Sequence, residues 1–237
     1  LHGIFRTRHS LEYLAKGFRE AGYEAIPIDY ASCHLPIERH AENLRALVAE
    51  LKEAEEIAFV CHSMGGLVTR TYLANGPDPR IKRVVMFGPP IYGSEKADFF
   101  QDWGLFNYLF GPSGRQLTTS RLPPAPLPAR IEIGVIAGGT GKEKGYSMLL
   151  PGDNDGTVTV ASTRLAGAHD FVVTPSRHTF MIASAKNREL ALRFVREGSF
   201  QGEENRRPIP ASGVPEGRTE RGPEPRRDGA AKTTTEG

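Results

Sequence analysis

The stretch that decides the fold is IAFVCHSMGG, residues 57–66. Its apolar start is typical of a strand that is covered on both faces, and a helical pattern runs on from about Ser63 to Ala74. Small residues, Cys61 and Gly65, stand two positions before and two positions after Ser63, where a tight turn leaves almost no room for side chains. The stretch therefore predicts a strand, a sharp turn at Ser63 and a helix.

Strand and helix patterns alternate on both sides of this stretch. Further helices are predicted at residues 11–21, 36–51 and 182–197, and further strands at residues 23–30, 83–88, 131–138 and 170–174. Ser10 is the predicted N-cap of the first helix, and Pro36 suits the first turn of the second. The alternation predicts an α/β fold with three layers around a mostly parallel sheet, whose post-strand loops meet along one edge.

Three segments depart from this alternation. The residues LHG at positions 1–3 read as the end of a strand, so one or more N-terminal strands are expected to be missing from the sequence. Residues 89–130 contain an aromatic cluster and a proline-rich stretch, which predicts a helix packed on the core, a cap over the strand edge, or both. Residues 198–237 are rich in Gly, Pro, Arg and Glu and predict a disordered tail, because they bury too little apolar surface to offset ordering entropy. Residues 1–197 form the predicted folded domain.

Composition narrows the class of protein. The 237 residues are 39% hydrophobic and carry a net charge of +2, which suits one globular domain and does not indicate a nucleic-acid surface. No apolar run approaches the roughly 18 residues of a membrane span, and contact with a membrane is possible but not indicated. Cys33 and Cys61 are too few for a disulfide framework and suggest no zinc site. They leave the compartment open, with the cytoplasm slightly favoured. We expect no metal, no cofactor and no nucleic-acid partner.

Several residues could supply the groups that a serine nucleophile needs. A serine hydroxyl requires a base, and the base requires an acid that holds its tautomer. His178 is favoured as the base because it directly follows the strand at 170–174, whereas His169 precedes that strand and would lie at the opposite edge. Asp155 is favoured over Asp153 as the acid, because Asp155-Gly156 is followed by an apolar segment of strand or helix-start type.

Backbone N–H groups could stabilise negative charge on a carbonyl oxygen bound at this site. The Met64 N–H would lie at a helix N-terminus, which favours such charge. A second donor is expected from the His-Gly pattern at residues 2–3, where the Ile4 N–H is the best candidate. Cys61 lies at the end of the strand without a base of its own, so we interpret it as a packing replacement for glycine.

Five segments together resemble a known family: LHGIFRT, FVCHSMGGLVTR, VVMFGPPIYGSE, NDGTVTVAST and SRHTF. They are similar to bacterial α/β-hydrolase-fold serine hydrolases of the lipase/esterase group, related to triacylglycerol lipases and inositol-deacylase-type domains. The resemblance covers residues 1–197, which it implies to be an α/β-hydrolase catalytic domain, and departs from the family pattern at Cys61, where a glycine is usual. It implies Ser63 as nucleophile, Asp155 as acid, His178 as base, and the N–H groups of Ile4 and Met64 as the oxyanion hole.

The resemblance implies a carboxylic ester hydrolase that forms an acyl-enzyme on Ser63. Its partner would be a small-molecule or lipid ester, with an apolar acyl group under the segment 94–110. The substrate-binding candidates in that segment are Phe99, Trp103 and Phe106. A thioesterase, an amidase or an acyltransferase with the same triad remains open, because fold and triad do not select among them. A non-catalytic, hydrolase-like binding protein is a further alternative.

Overall fold

The computed structural model describes residues 1–93 and 127–211 and contains one sheet of four parallel strands. The strands, paired in chain order, are β1 (Ile57–His62), β2 (Ile81–Phe87), β3 (Glu132–Gly138) and β4 (Asp170–Thr174). The α-helices of the described residues are α1 (Glu12–Glu20), α2 (Ile37–Glu50), α3 (Met64–Ala74) and α4 (Ala185–Glu197). This architecture confirms the predicted α/β fold with a parallel sheet.

The sheet is covered on both faces, because successive residues of a strand point to opposite sides. In β2, Val84 and Met86 belong to an apolar cluster that includes residues of α2 and α3. Val85 and Phe87 belong to a second cluster, which includes residues of α1 and α4. Burial on both faces accounts for the continuous apolar runs by which the strands were predicted.

The prediction of a strand at residues 23–30 was wrong. This segment forms neither a helix nor a strand and is no part of the described sheet. Its side chains pack on both apolar clusters, Ile28 and Tyr30 on the first and Tyr23 and Ala25 on the second. A groove of about 520 Å³ is lined both by this segment and by β1. The sequence suggested a strand because the apolar side chains of this segment are packed on the core, as those of a strand would be. The same pattern carries no information on which backbone groups form hydrogen bonds.

The N-terminal residues differ from the predicted arrangement in one detail and run beside β1. Ser10 is not the N-cap of α1, because a 3-10 turn over Arg8–Leu11 precedes that helix and Leu11 takes the cap position.

Leu1 pairs with β1 through two backbone hydrogen bonds. The Leu1 nitrogen donates to the Val60 carbonyl at 2.8 Å, and the Leu1 carbonyl accepts from the His62 N–H at 3.0 Å. This is the pairing of a parallel ladder, so Leu1 lies beside Cys61 on the side of β1 away from β2.

The packed body continues beyond residue 197, where the disordered tail was predicted to start. Phe200 and Ile209 are buried, and the Asp170 carboxylate accepts hydrogen bonds from the N–H groups of Phe200 and Arg207 at 2.8 and 3.0 Å. Ile209 also donates to the Ala168 carbonyl at 2.9 Å. The polar composition of residues 198–211 gave no sign of this packing, because Phe200 and Ile209 are the two large apolar side chains that are buried there. Residues 212–237 lie outside the described residues.

Within the described ranges, no helix has the length and apolar character needed to cross a membrane.

Candidate active site

Ser63 stands at the junction of β1 and α3, in a backbone conformation that few non-glycine residues adopt. Its φ is 52° and its ψ is −124°. The Ser63 N–H donates to the Phe87 carbonyl at the end of β2 at 2.8 Å, and the Ser63 carbonyl accepts from the Gly66 N–H at 2.9 Å. Residues in such sparsely populated regions cost on the order of 1–3 kcal/mol and persist only where their surroundings hold them. The hydrogen bonds at both ends of the turn supply that constraint.

The loop at residues 2–6, which we call the N-terminal loop, packs directly against this turn. A Cβ atom on Gly65 would lie 2.8 Å from the Leu1 carbonyl oxygen and 2.9 Å from the His2 carbonyl oxygen. A Cβ atom on Gly3 would lie 3.0 Å from the Ser63 Cβ. Glycine at these two positions therefore allows the loop backbone to approach both the start of α3 and the Ser63 side chain.

The N-terminal loop is held by hydrogen bonds of its own. His2 donates from Nδ1 to the Gly3 carbonyl at 2.8 Å, and the Tyr30 hydroxyl donates to the His2 carbonyl. Phe5, with φ of 56°, donates its N–H to the Ser32 hydroxyl at 3.2 Å. Burial raises the pKa of the Tyr30 hydroxyl above its usual range, so this group stays protonated and continues to donate.

The backbone N–H groups of Ile4 and Met64, which lie near Ser63, have no protein acceptor among the described residues. Met64 is the first residue of α3, and the first N–H groups of a helix have no partner within the helix. Ile4 lies between Gly3 and the strained Phe5 in the N-terminal loop. Both N–H groups are therefore available to a ligand oxygen, and the dipole of α3 favours negative charge beside Met64.

Asp155 and His178 form a buried pair beyond the ends of β3 and β4. The Asp155 Oδ2 lies 2.6 Å from the His178 Nδ1, and the His178 N–H donates to the Asp155 carbonyl at 3.0 Å. The other oxygen, Oδ1, accepts from the N–H groups of Thr157 and Val158 at 2.9 and 2.7 Å. Since an ionised carboxylate only accepts, Nδ1 carries the proton and Nε2 is left with a free lone pair.

The two competing candidates serve other purposes. Asp153 accepts hydrogen bonds from the N–H groups of Thr140 and Gly141 at 2.7 and 2.9 Å, so it holds the loop after β3. His169 precedes β4, and its Nδ1 accepts from the Ile133 N–H at 3.1 Å near the start of β3. His169 therefore lies at the edge of the sheet opposite to Ser63.

The Asp155–His178 pair lies beside the turn that contains Ser63. The hydrogen bonds of the described residues include none between His178 and Ser63. The contact runs through the neighbouring residue, since the rings of His62 and His178 are 4.8 Å apart between centroids. Gly88 follows Phe87, whose carbonyl accepts a hydrogen bond from the Ser63 N–H. A Cβ atom on Gly88 would lie 3.2 Å from both Asp155 Oδ2 and His178 Nδ1.

Sequence reasoning overlooked the contributions of His62 and Gly88. For His62 the sequence offered no signal of its contact with the His178 backbone, because the two residues stand 116 positions apart in the chain. For Gly88 the available signal was a glycine that ends a buried strand and adopts a φ of 51°. It allows the Asp155–His178 pair to sit against the end of β2.

Cys61 packs in the core and is not poised to react. It is fully buried, its sulfur lies 3.0 Å from the Thr69 hydroxyl, and that hydroxyl donates to the Gly65 carbonyl at 2.9 Å. The thiol therefore donates to Thr69, and burial raises the pKa of the Cys61 thiol above its ordinary value. The three predicted substrate-binding residues, Phe99, Trp103 and Phe106, lie outside the described residues. In the described part of the chain, no cluster of metal-binding side chains is present.

Burial of His62 predicts a loss of stability in acid. Its pKa lies well below the ordinary 6.5, mainly because burial disfavours the charged ring and also because His178 is close. The unfolded chain takes up a proton near pH 6.5 and the folded protein does not, so the free energy of unfolding falls as pH drops below that value. We expect His62 to contribute a slope of up to about 1.4 kcal/mol per pH unit.

Urea unfolding above and below pH 6.5 measures this slope in the wild type and in His62→Gln. A smaller slope in the variant is the expected result, and equal slopes in the two proteins would contradict it.

Comparisons with known proteins add information on the fold. No protein-family model matches the chain, and no curated protein matches it. Among solved structures, a mature lipase of Bacillus licheniformis, BlEst2, has a TM-score of 0.64 at 20% identity, covering 84% of this chain and 90% of that one. A metagenomic carboxyl esterase, MGS0156, has a TM-score of 0.62 at 21% identity, covering 75% of this chain and 63% of that one.

An extracellular α/β-hydrolase from a Paenibacillus species has a TM-score of 0.52 at 15% identity, covering 84% of this chain and 97% of that one. At these identities the likeness concerns the fold, and it agrees with the parallel sheet and its helices on both faces. The chain has the α/β-hydrolase fold that these lipases and esterases share.

Proposed function

We propose that the protein is a serine hydrolase that cleaves carboxylic esters. The observation that carries this proposal is the buried hydrogen bond between Asp155 and His178, formed beside the turn that holds Ser63 in a strained conformation. An acid, a base with its free lone pair on Nε2, and a serine at a helix N-terminus are the groups that acyl transfer requires. The solved structures of similar fold include a lipase and an esterase, which supports this reaction class.

In the proposed reaction, Ser63 Oγ attacks the ester carbonyl carbon while His178 Nε2 takes the hydroxyl proton. The carbonyl oxygen becomes negative and accepts hydrogen bonds from the Ile4 and Met64 N–H groups. The imidazolium then gives its proton to the departing alkoxide, the C–O bond breaks and an alcohol leaves. Water attacks the acyl-enzyme by the same route, which releases the carboxylic acid and restores Ser63.

Asp155 stabilises the imidazolium and holds the Nδ1–H tautomer through both steps. Ser63 and His178 share no hydrogen bond in the structure, and such bonds frequently tighten only when substrate is bound. The expectation that an apolar acyl group binds under Phe99, Trp103 and Phe106 stays a prediction.

Covalent labelling tests the proposal. A fluorophosphonate probe should modify Ser63, because the activated hydroxyl oxygen attacks the phosphorus, His178 takes the proton and fluoride leaves, and the adduct resembles the tetrahedral intermediate. Peptide mapping should locate the label on Ser63, and Ser63→Ala should show neither labelling nor turnover of a p-nitrophenyl ester. Ser10→Ala, which removes a partly exposed hydroxyl from the start of the chain, serves as the control and should label normally. Unchanged turnover by folded Ser63→Ala would refute the proposal.

A further inference from the structure

His62, the last residue of β1, connects this strand to the backbone of His178, the proposed base. Its Nε2 lies 3.0 Å from the backbone carbonyl oxygen of His178. A carbonyl can only accept, so Nε2 must carry the proton and Nδ1 must be unprotonated. The tautomer of His62 is therefore determined by its position, and it is the opposite of the tautomer that Asp155 imposes on His178.

The other hydrogen bonds of His178 all lead to Asp155. The His178 N–H donates to the Asp155 carbonyl at 3.0 Å, and its Nδ1 lies 2.6 Å from Asp155 Oδ2. Among the described residues, the His178 carbonyl and the His62 ring form the direct hydrogen bond between this pair and β1. Without it, the pair would keep its internal geometry but lose its tie to the strand that ends at Ser63.

The His62 ring also contacts the N-terminal loop. A Cβ atom on Gly3 would lie 3.1 Å from His62 Nδ1, so the ring packs against the loop that contains the Ile4 N–H. His62 is fully enclosed, and Nδ1 has no hydrogen-bond partner among the described residues. A single side chain thus touches the loop on one side and the His178 backbone on the other.

We infer that His62 is a positioning residue, which sets the location of His178 relative to Ser63 by donating from Nε2 to the His178 carbonyl. This inference rests on the proposed function, because it concerns the approach of the base to the nucleophile. It requires a neutral ring throughout the reaction, and burial, which holds the pKa of His62 well below 6.5, keeps this ring neutral. His62 touches neither the ester nor a transferred proton.

Two substitutions of similar size separate the hydrogen bond from packing. In His62→Gln, the amide Nε2 stands the same number of bonds from Cα as the imidazole Nε2 and can donate to the His178 carbonyl. In His62→Met, the side chain fills the space without a donor. We expect His62→Met to lower kcat by about 100-fold, as a shift of about 1 Å in a catalytic group can do, while KM changes by less than about twofold. His62→Gln should stay within about threefold of the wild type in kcat, because it keeps the donor.

The measurements are steady-state turnover of a p-nitrophenyl ester and the rate of fluorophosphonate inactivation, both well below each variant's Tm. His34→Met, a substitution of an exposed histidine, is the matched control and should behave as the wild type. Equal losses in His62→Gln and His62→Met, or normal kcat in folded His62→Met, would overturn the inference. An inactive, unlabelled wild type would instead refute the proposed function, and this inference with it.

A measurement on the wild type does not depend on whether the variants fold. Nitrogen-15 NMR of the histidine rings at neutral pH should show His62 protonated on Nε2 and unprotonated on Nδ1. A proton on Nδ1 would overturn the inference, because that tautomer cannot donate to the His178 carbonyl.

Discussion

Asp155→Asn is expected to lower kcat for ester hydrolysis by about four orders of magnitude, with little change in KM. The side-chain oxygen of the new residue would go on accepting from the Thr157 and Val158 N–H groups, which turns its NH₂ toward His178 Nδ1. Because an amide NH₂ only donates, Nδ1 must then accept, and the ring proton moves to Nε2. His178 in that tautomer faces Ser63 with an N–H and cannot take its proton.

Asp153→Asn provides the matched control, since this neighbouring carboxylate binds the Thr140 and Gly141 N–H groups and not His178. Its kcat should stay within about threefold of the wild type, because the change leaves the His178 tautomer untouched. The test is steady-state kinetics of both variants, after circular dichroism has shown that they fold. A loss of less than about tenfold in Asp155→Asn would contradict the assignment of Asp155 as the acid.

Gly65→Ala is expected to destabilise the protein by about 3 kcal/mol or more. The added Cβ would come within 2.8 Å of the Leu1 carbonyl oxygen and 2.9 Å of the His2 carbonyl oxygen. Both are backbone atoms, and each is held by a hydrogen bond of its own, to the His62 N–H and the Tyr30 hydroxyl. Relief requires the N-terminal loop to move away from α3, which would also displace the Ile4 N–H.

Gly76→Asn is the control for this substitution, because Gly76 has a positive φ of 74° but no neighbouring atoms within 4 Å of an added Cβ. Asparagine tolerates that conformation, so the cost should be below about 1 kcal/mol. Urea unfolding measures both free energies, and ester turnover of the folded fraction reports the displaced N–H group. Gly65→Ala with wild-type stability would show that the loop does not pack as closely as the structure has it.

Local patterns were sufficient where the feature itself is local. The strand, turn and helix around Ser63 follow from an apolar run, small flanking residues and a helical repeat, all within residues 57–74. The same holds for β2 and β3, whose burial on both faces leaves a continuous apolar signal. Residues 23–30 also contain apolar residues in a strand-like pattern, but they form no strand of the described sheet. Hydrogen bonding between strands depends on which backbone lies alongside, and the sequence pattern does not report this.

The chain thus determined by itself that it would form an α/β sheet, that Ser63 would stand at the end of a strand, and which few residues could act with it. Only the tertiary structure decided that Asp155 rather than Asp153 contacts His178. It also decided that His62 donates a hydrogen bond to the His178 carbonyl and that Gly88 packs against both residues of the pair. These contacts join residues between 23 and 116 positions apart in sequence. Such pairs leave no periodic trace along the chain, because their proximity is produced by the crossovers of the parallel sheet and not by the order of neighbouring residues.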